Sequence, residues 1–211
     1  MKALLFDFDG TLLDTNELII QTFMHVLEER FPGQYSPKDC IKFIGPSLKE
    51  TFEQITPNEV EEMIEKYRQW NAAHHDELIK EFDGVLPTLK ELKELGIKMA
   101  IVSTKRRDTI EKGLDLMGAK SFFEFWIGID DVQHVKPQPE PVLLAIEKLG
   151  VDKEHVIMIG DNYHDIEAGK NAGVKTAGVA WSLKGEAFLK QYNPDYMLKQ
   201  MSDLLTIVKE L

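Results

Sequence analysis

The sequence predicts an α/β fold, a doubly wound parallel sheet interrupted once by an all-helical insertion. Three observations predict it. Short, continuously apolar runs recur along the chain, as expected of strands buried on both faces. Helical periodicities lie between those runs. The stretch 15–82 breaks the alternation, with helical patterns and no strand signal.

In chain order, "ALLFDF" (3–8) reads as the first strand. The insertion follows. Ile19, Phe23, Val26 and Leu27 form one apolar stripe, and Val60, Met63, Ile64 and Tyr67 another. "SPKD" (36–39) and "TPNE" (56–59) each offer a hydroxyl N-cap, a proline at the first helical position and an acid at the third, so each predicts a helix start. Leu89, Leu92 and Leu95 then mark a helix before the strand "IKMAIVS" (97–103). Ile110, Leu114 and Met117 mark the next helix, followed by a fifth, shorter strand candidate, "FWIGI" (125–129). Leu143, Ile146 and Leu149 precede "HVIMIG" (155–160), and "KTAGVA" (175–180) is the last clear strand. The expected division is a core of 1–14 and 84–211 with a helical cap of 15–83. The crossings near Asp14–Glu17 and Glu81–Val85, the second holding Gly84, suit a hinge.

Composition bounds the function. A chain of 211 residues, 43% hydrophobic and 29% charged, is an ordinary globular composition. A net charge of −11 argues against a nucleic-acid partner, which needs a basic face, and against an anionic membrane surface. It permits a phosphorylated small molecule, because a cluster of cations reverses the sign locally. One cysteine, Cys40, excludes an internal disulfide framework, lacks the surroundings of a nucleophile and fits a reducing compartment. With no signal-peptide h-region and no apolar stretch near the roughly 20 residues of a membrane span, the expected location is cytoplasmic. Oligomeric state is open.

Ligands of an open parallel sheet bind beyond the carboxyl ends of its strands. The first strand ends in Asp7-Phe8-Asp9, the next in Ser103-Thr104-Lys105, and "HVIMIG" in Asp161, with Asp165 shortly after. "VKPQP" places Lys136 ahead of a helix start. Acids, a hydroxyl and an ammonium thus converge on one crevice from distant parts of the chain. Lys105 and the two arginines after it read as a solvated basic face. Asp165 has two readings, a metal ligand or a cap for the helix beginning there.

"DFDGTLLDT", "IVST", "VKPQP" and "GDNYHDIEAG" match, in order, the four motifs of the haloacid-dehalogenase-like phosphohydrolases, and the insertion after the first resembles that family's helical cap. The core is then expected to be the Rossmann-like one of that family. "TNELI", "FIGP", "HHDEL", "AGVKTAGVAW" and "PDYML" are similar to its bacterial pyrophosphatase branch, which implies inorganic pyrophosphate as substrate. The runner-up substrate is a small organic monoester such as phosphoglycolate. A phospho-aspartyl receiver, a different class, is shorter and has no inserted cap.

The resemblance implies roles that chemistry supports. Asp7 suits a nucleophile forming an aspartyl-phosphate. Asp9 suits an acid toward the leaving oxygen and then a base toward water. Alternation would send the two to opposite faces, so the backbone has to turn at Asp9, and Gly10 permits this. Asp7, Asp161 and Asp165, with the Asp9 carbonyl, offer an oxygen shell for Mg²⁺. Ser103, Lys136 and Thr104 are candidates to hold phosphoryl oxygens. In the cap, "IGP" (44–46) with Gly45 and Pro46 resembles a substrate-specificity loop, and Ser47, Lys49, His74 and His75 are candidate contacts to the leaving group.

Overall fold

The computed structural model describes residues 2–210. The chain divides into two compact units, Met1–Leu13 with Glu81–Leu211, and Asp14–Lys80.

The larger unit is built on strand β1 (Ala3–Phe6). After it come β2 (Leu13–Asp14) and, beyond the smaller unit, β3 (Lys80–Glu81). These two short strands pair as a separate sheet at the two chain crossings. The main sheet continues with β4 (Lys98–Val102), β5 (Phe125–Ile127), β6 (Val156–Gly160), β7 (Lys175–Val179) and β8 (Tyr196–Leu198). Its order is β5-β4-β1-β6-β7-β8, with every pairing parallel. From β1 the chain builds outward through β4 and β5, then crosses to the other side and builds outward again from β6. The reversal lies beside β1, where such sheets open a crevice at the strand ends.

Apolar runs form these strands because both faces are covered. Ala3, Leu5, Ala100, Val102 and Met158 enter one core cluster with Val142, Ala145, Ile146 and Leu149. The alternate residues Leu4, Phe6, Met99 and Ile101 are equally buried on the other face. Val142 to Leu149 lie on the helix Glu140–Leu149, so the predicted stripe there faces the sheet. In the helix Val85–Glu94, Leu89 and Leu92 are buried, but Leu95 has left the helix and is 51% exposed.

The smaller unit holds the helices α1 (Asn16–Arg30), α2 (Pro37–Cys40), α3 (Leu48–Ile55) and α4 (Val60–Leu78). Phe23 centres its core, with ring centroids 5.1 Å from Phe43, 5.7 Å from Phe52 and 4.8 Å from Tyr67. Ser36 and Asp39 form the capping box expected of "SPKD". "TPNE" starts no helix at its proline. Thr56 instead closes α3, donating its N–H to the Phe52 carbonyl at 2.7 Å, and α4 begins only at Val60. A hydroxyl residue before proline serves a helix end as readily when the preceding turn needs its N–H.

Candidate active site

Beyond Phe6 the chain leaves the sheet through Asp7, whose N–H still donates to the Ile159 carbonyl at 2.8 Å. It then turns sharply. Gly10 has φ +72°, and its N–H donates to the Leu13 carbonyl at 2.8 Å. A Cβ at this position would lie 2.5 Å from Oδ2 of Asp161. Glycine is therefore required for its backbone and for the space it leaves an acid.

The helix Tyr163–Ala172 follows β6 directly, with Asn162 as N-cap. Asp165 does cap the helix that begins there, and its second oxygen is turned to Lys136. Its Oδ2 accepts the Asn162 N–H at 3.0 Å, while its Oδ1 accepts from Lys136 Nζ at 2.6 Å. Lys136 also donates to Asp7 Oδ1 and to the Val102 carbonyl, both at 2.8 Å. An ammonium has three donors, and all three are placed. Lys136, 3% exposed, thus ties the acid after β1 to the acid on the helix after β6.

Asp7, Asp161 and Asp165 each bring a carboxylate oxygen into a group whose atoms lie within 4.8 Å of one another. Lys136 pairs with two of these buried acids, and a second ammonium, Lys184, acts on Asp161 and Asp165 through its charge. Burial pushes Asp7 up to about 7, with Lys136 opposing and Asp165 reinforcing the shift. Burial, then Asp165 and Asp7, hold Asp161 well above the usual carboxylate range. Burial works against the charge of Lys136, but Asp165 and Asp7 override it and its pKa is raised. A cluster of hard oxygen donors short of positive charge is a site that can hold a divalent metal ion.

Ser103 lies buried just past β4, its N–H donating to the Ile127 carbonyl at 3.0 Å. Its Oγ accepts the Lys105 N–H at 3.2 Å, and Thr104 lies half-buried between them. Asp9 stands apart from the three-acid group, accepting from Lys105 Nζ at 2.6 Å. This corrects the expectation for Lys105, which is no part of a solvated face: only 13% of its side chain is exposed. Arg106 and Arg107 do turn outward, to Asp108 and Asp131. The sequence also gave no notice of Ser182, past β7, whose hydroxyl donates to the Asp161 carbonyl at 2.7 Å. Burial lowers the pKa of nearby Lys184, against the pull of Asp161 and Asp165.

Among the cap candidates, Gly45 has φ +107° beside Pro46. Ser47 caps α3: its Oγ donates to Glu50 Oε2 at 2.8 Å and accepts the Glu50 N–H at 3.2 Å. Lys49 is exposed, 3.8 Å from Glu53. His74 stacks on Trp70 at 3.9 Å, with Nδ1 2.9 Å from the Trp70 carbonyl. His75 is buried, with Nδ1 3.0 Å from Asp76 Oδ1.

The sequence profile of the haloacid dehalogenase-like hydrolases matches residues 4–179. The chain belongs to that family. It is 52% identical over 211 residues to a Bacillus cereus protein named pyrophosphatase PpaX, covering all of this chain and 98% of that one. A Bacillus velezensis protein of the same name is 55% identical over 207 residues, covering 98% of this chain and 96% of its own. Among solved structures, a putative haloacid dehalogenase-like hydrolase from Bacteroides fragilis superposes with a TM-score of 0.90 at 32% identity, covering 96% of this chain and 99% of that one. No described helix is long and apolar enough to cross a membrane.

Proposed function

We propose that the protein is a Mg²⁺-dependent phosphohydrolase whose substrate is inorganic pyrophosphate. The observation that carries the reaction class is the meeting of Asp7, Asp161 and Asp165 around Lys136 at the sheet's switch point. Identity above 50% over essentially the whole length with proteins named pyrophosphatase supports the substrate.

Asp7 attacks phosphorus, forming an aspartyl-phosphate as the bridging P–O bond breaks and phosphate departs. Asp9 gives a proton to the departing oxygen, then takes one from the water that attacks the aspartyl-phosphate. Lys136 fixes Asp7 and neutralises charge as it builds on the transferred group. Ser103, whose oxygen already accepts from Lys105, keeps its own proton to donate to a phosphoryl oxygen. Asp7, Asp161, Asp165 and the Asp9 carbonyl are the groups that would hold Mg²⁺. The bound ion supplies the charge that lets an anionic nucleophile approach an anionic substrate.

Phosphate release tests this reading with Mg²⁺ and pyrophosphate, phosphoglycolate, sugar phosphates and mononucleotides as parallel substrates. Pyrophosphate should give the highest kcat/KM. A monoester turned over tenfold faster would overturn the substrate assignment, and no release from any of them would overturn the reaction class.

A further inference from the structure

Lys105 is the one cation of its basic run that turns toward the strand-end acids. Its carboxylate partner is Asp9, at 2.6 Å, and its Nζ lies 6.0 Å from the Phe8 ring centroid. The backbone beneath it is held from both sides: its N–H donates to Ser103 Oγ at 3.2 Å, and its carbonyl accepts the Ile129 N–H at 2.9 Å. A Cβ on Gly128 would lie 2.7 Å from that carbonyl, so this approach needs glycine there. The ammonium is therefore placed by the fold rather than carried on a loose surface chain.

We propose that Lys105 contacts the departing half of the substrate and selects for leaving groups that are themselves anionic. The inference rests on the reading of Asp9 as the residue facing the leaving oxygen. A proton donor must come within roughly 2.6–3.2 Å of the oxygen it serves. Lys105 Nζ is already a hydrogen bond away from that same carboxyl group, so a phosphate leaving from beside Asp9 departs beside Lys105 as well. The charge balance points the same way. Lys136 has its three donors on Asp7, Asp165 and Val102, buried beside the nucleophile. The leaving phosphate of pyrophosphate carries its own negative charge and needs a separate cation. A neutral alcohol or phenol side needs none, and gains nothing from an ammonium there.

The test compares Lys105→Met and Lys105→Gln with wild type on pyrophosphate and on p-nitrophenyl phosphate, whose leaving side is uncharged in the substrate. Loss of one charge-assisted contact should lower kcat/KM for pyrophosphate by about 10–100-fold. That loss should exceed the loss on p-nitrophenyl phosphate by at least tenfold in both variants. Similar losses on the two substrates would make Lys105 a general support of Asp9 or of its loop and overturn the proposal, as would no loss on either. Wild-type turnover of pyrophosphate separately tests the substrate reading. If wild type leaves pyrophosphate intact, the same ratio is read with phosphoglycolate, whose leaving side carries a carboxylate, and the same outcomes decide it.

Discussion

At the residue scale the site depends on individual charges more than on packing. Asp7→Asn removes the nucleophile but leaves Lys136 paired with Asp165, so the variant should melt close to wild type while losing more than 1,000-fold in kcat. Retention of a tenth of the activity, a loss of only about 1.4 kcal/mol in the barrier, would exclude covalent attack by Asp7. Cys40 shows the opposite situation, a titratable group that burial keeps silent. Burial, reinforced by Asp39, pushes its thiol up to about 11 from the usual 9.0. The folded state therefore keeps a proton that the unfolded chain loses above pH 9, and this contribution to stability falls as pH rises from 9 toward 11. At pH 8 a thiol reagent should label native protein far more slowly than protein in denaturant; equal rates would contradict the burial. Asp7, Asp161 and Ser103 were announced because each ends or follows a legible apolar run, and Lys136 by its place ahead of a proline-marked helix start. Lys105 was illegible for a physical reason. A Lys-Arg-Arg run looks solvated, and only the fold shows that its first member folds back onto Asp9 while the other two face outward.

At the scale of elements, legibility followed burial. The four interior strands of the main sheet, β1, β4, β6 and β7, read as apolar runs. The two edge strands, Phe125–Ile127 and Tyr196–Leu198, are each three residues long with the first two only partly buried. "FWIGI" extends the first into a legible run, whereas the polar residues on both sides of Tyr196–Leu198 leave it too little pattern to stand out. Tyr196–Leu198 is held partly by a side chain: Asp195 Oδ2 accepts the Thr176 N–H at 2.7 Å and the Thr176 hydroxyl at 3.0 Å. Thr176 is fully buried in β7, so Asp195→Ala strands two donors away from water. The expected cost is about 2–4 kcal/mol, read by chemical denaturation, with amide exchange increased first in β8. A change below about 0.5 kcal/mol would show that Asp195 is not what fastens the edge. The helix boundary at "TPNE" failed for another reason: cap chemistry is local and cannot say which of two adjacent helices it serves. Asp165 is the converse, one side chain that caps its own helix through one oxygen and pairs with Lys136 through the other.

At the scale of the whole molecule, the larger unit assembles acids from strand ends far apart in sequence, and their mutual repulsion is a cost of folding. Three buried acids against the two ammoniums Lys136 and Lys184 destabilise the folded unit unless more positive charge arrives. A cation that binds the assembled cluster and not the unfolded chain stabilises by mass action, by about 2.7 kcal/mol at a hundred times its Kd. For a unit of this size that corresponds to a rise in Tm of roughly 5–15 °C. The reporters are available in the sequence: Trp126 and Trp181 lie in the larger unit and Trp70 in the smaller, so a Trp70→Phe background makes fluorescence specific to the unit holding the acids. Mg²⁺ should raise that transition saturably, and chelation should reverse the rise. Asp161→Asn should reduce the response by lowering affinity, and should itself raise the Tm measured without Mg²⁺, because it removes a buried acid that burial and its acidic neighbours hold well above the usual carboxylate range. A transition indifferent to Mg²⁺ in the parent, or an Asp161→Asn variant that responds at the same Mg²⁺ concentration, would mean that these acids are not the residues that hold the ion.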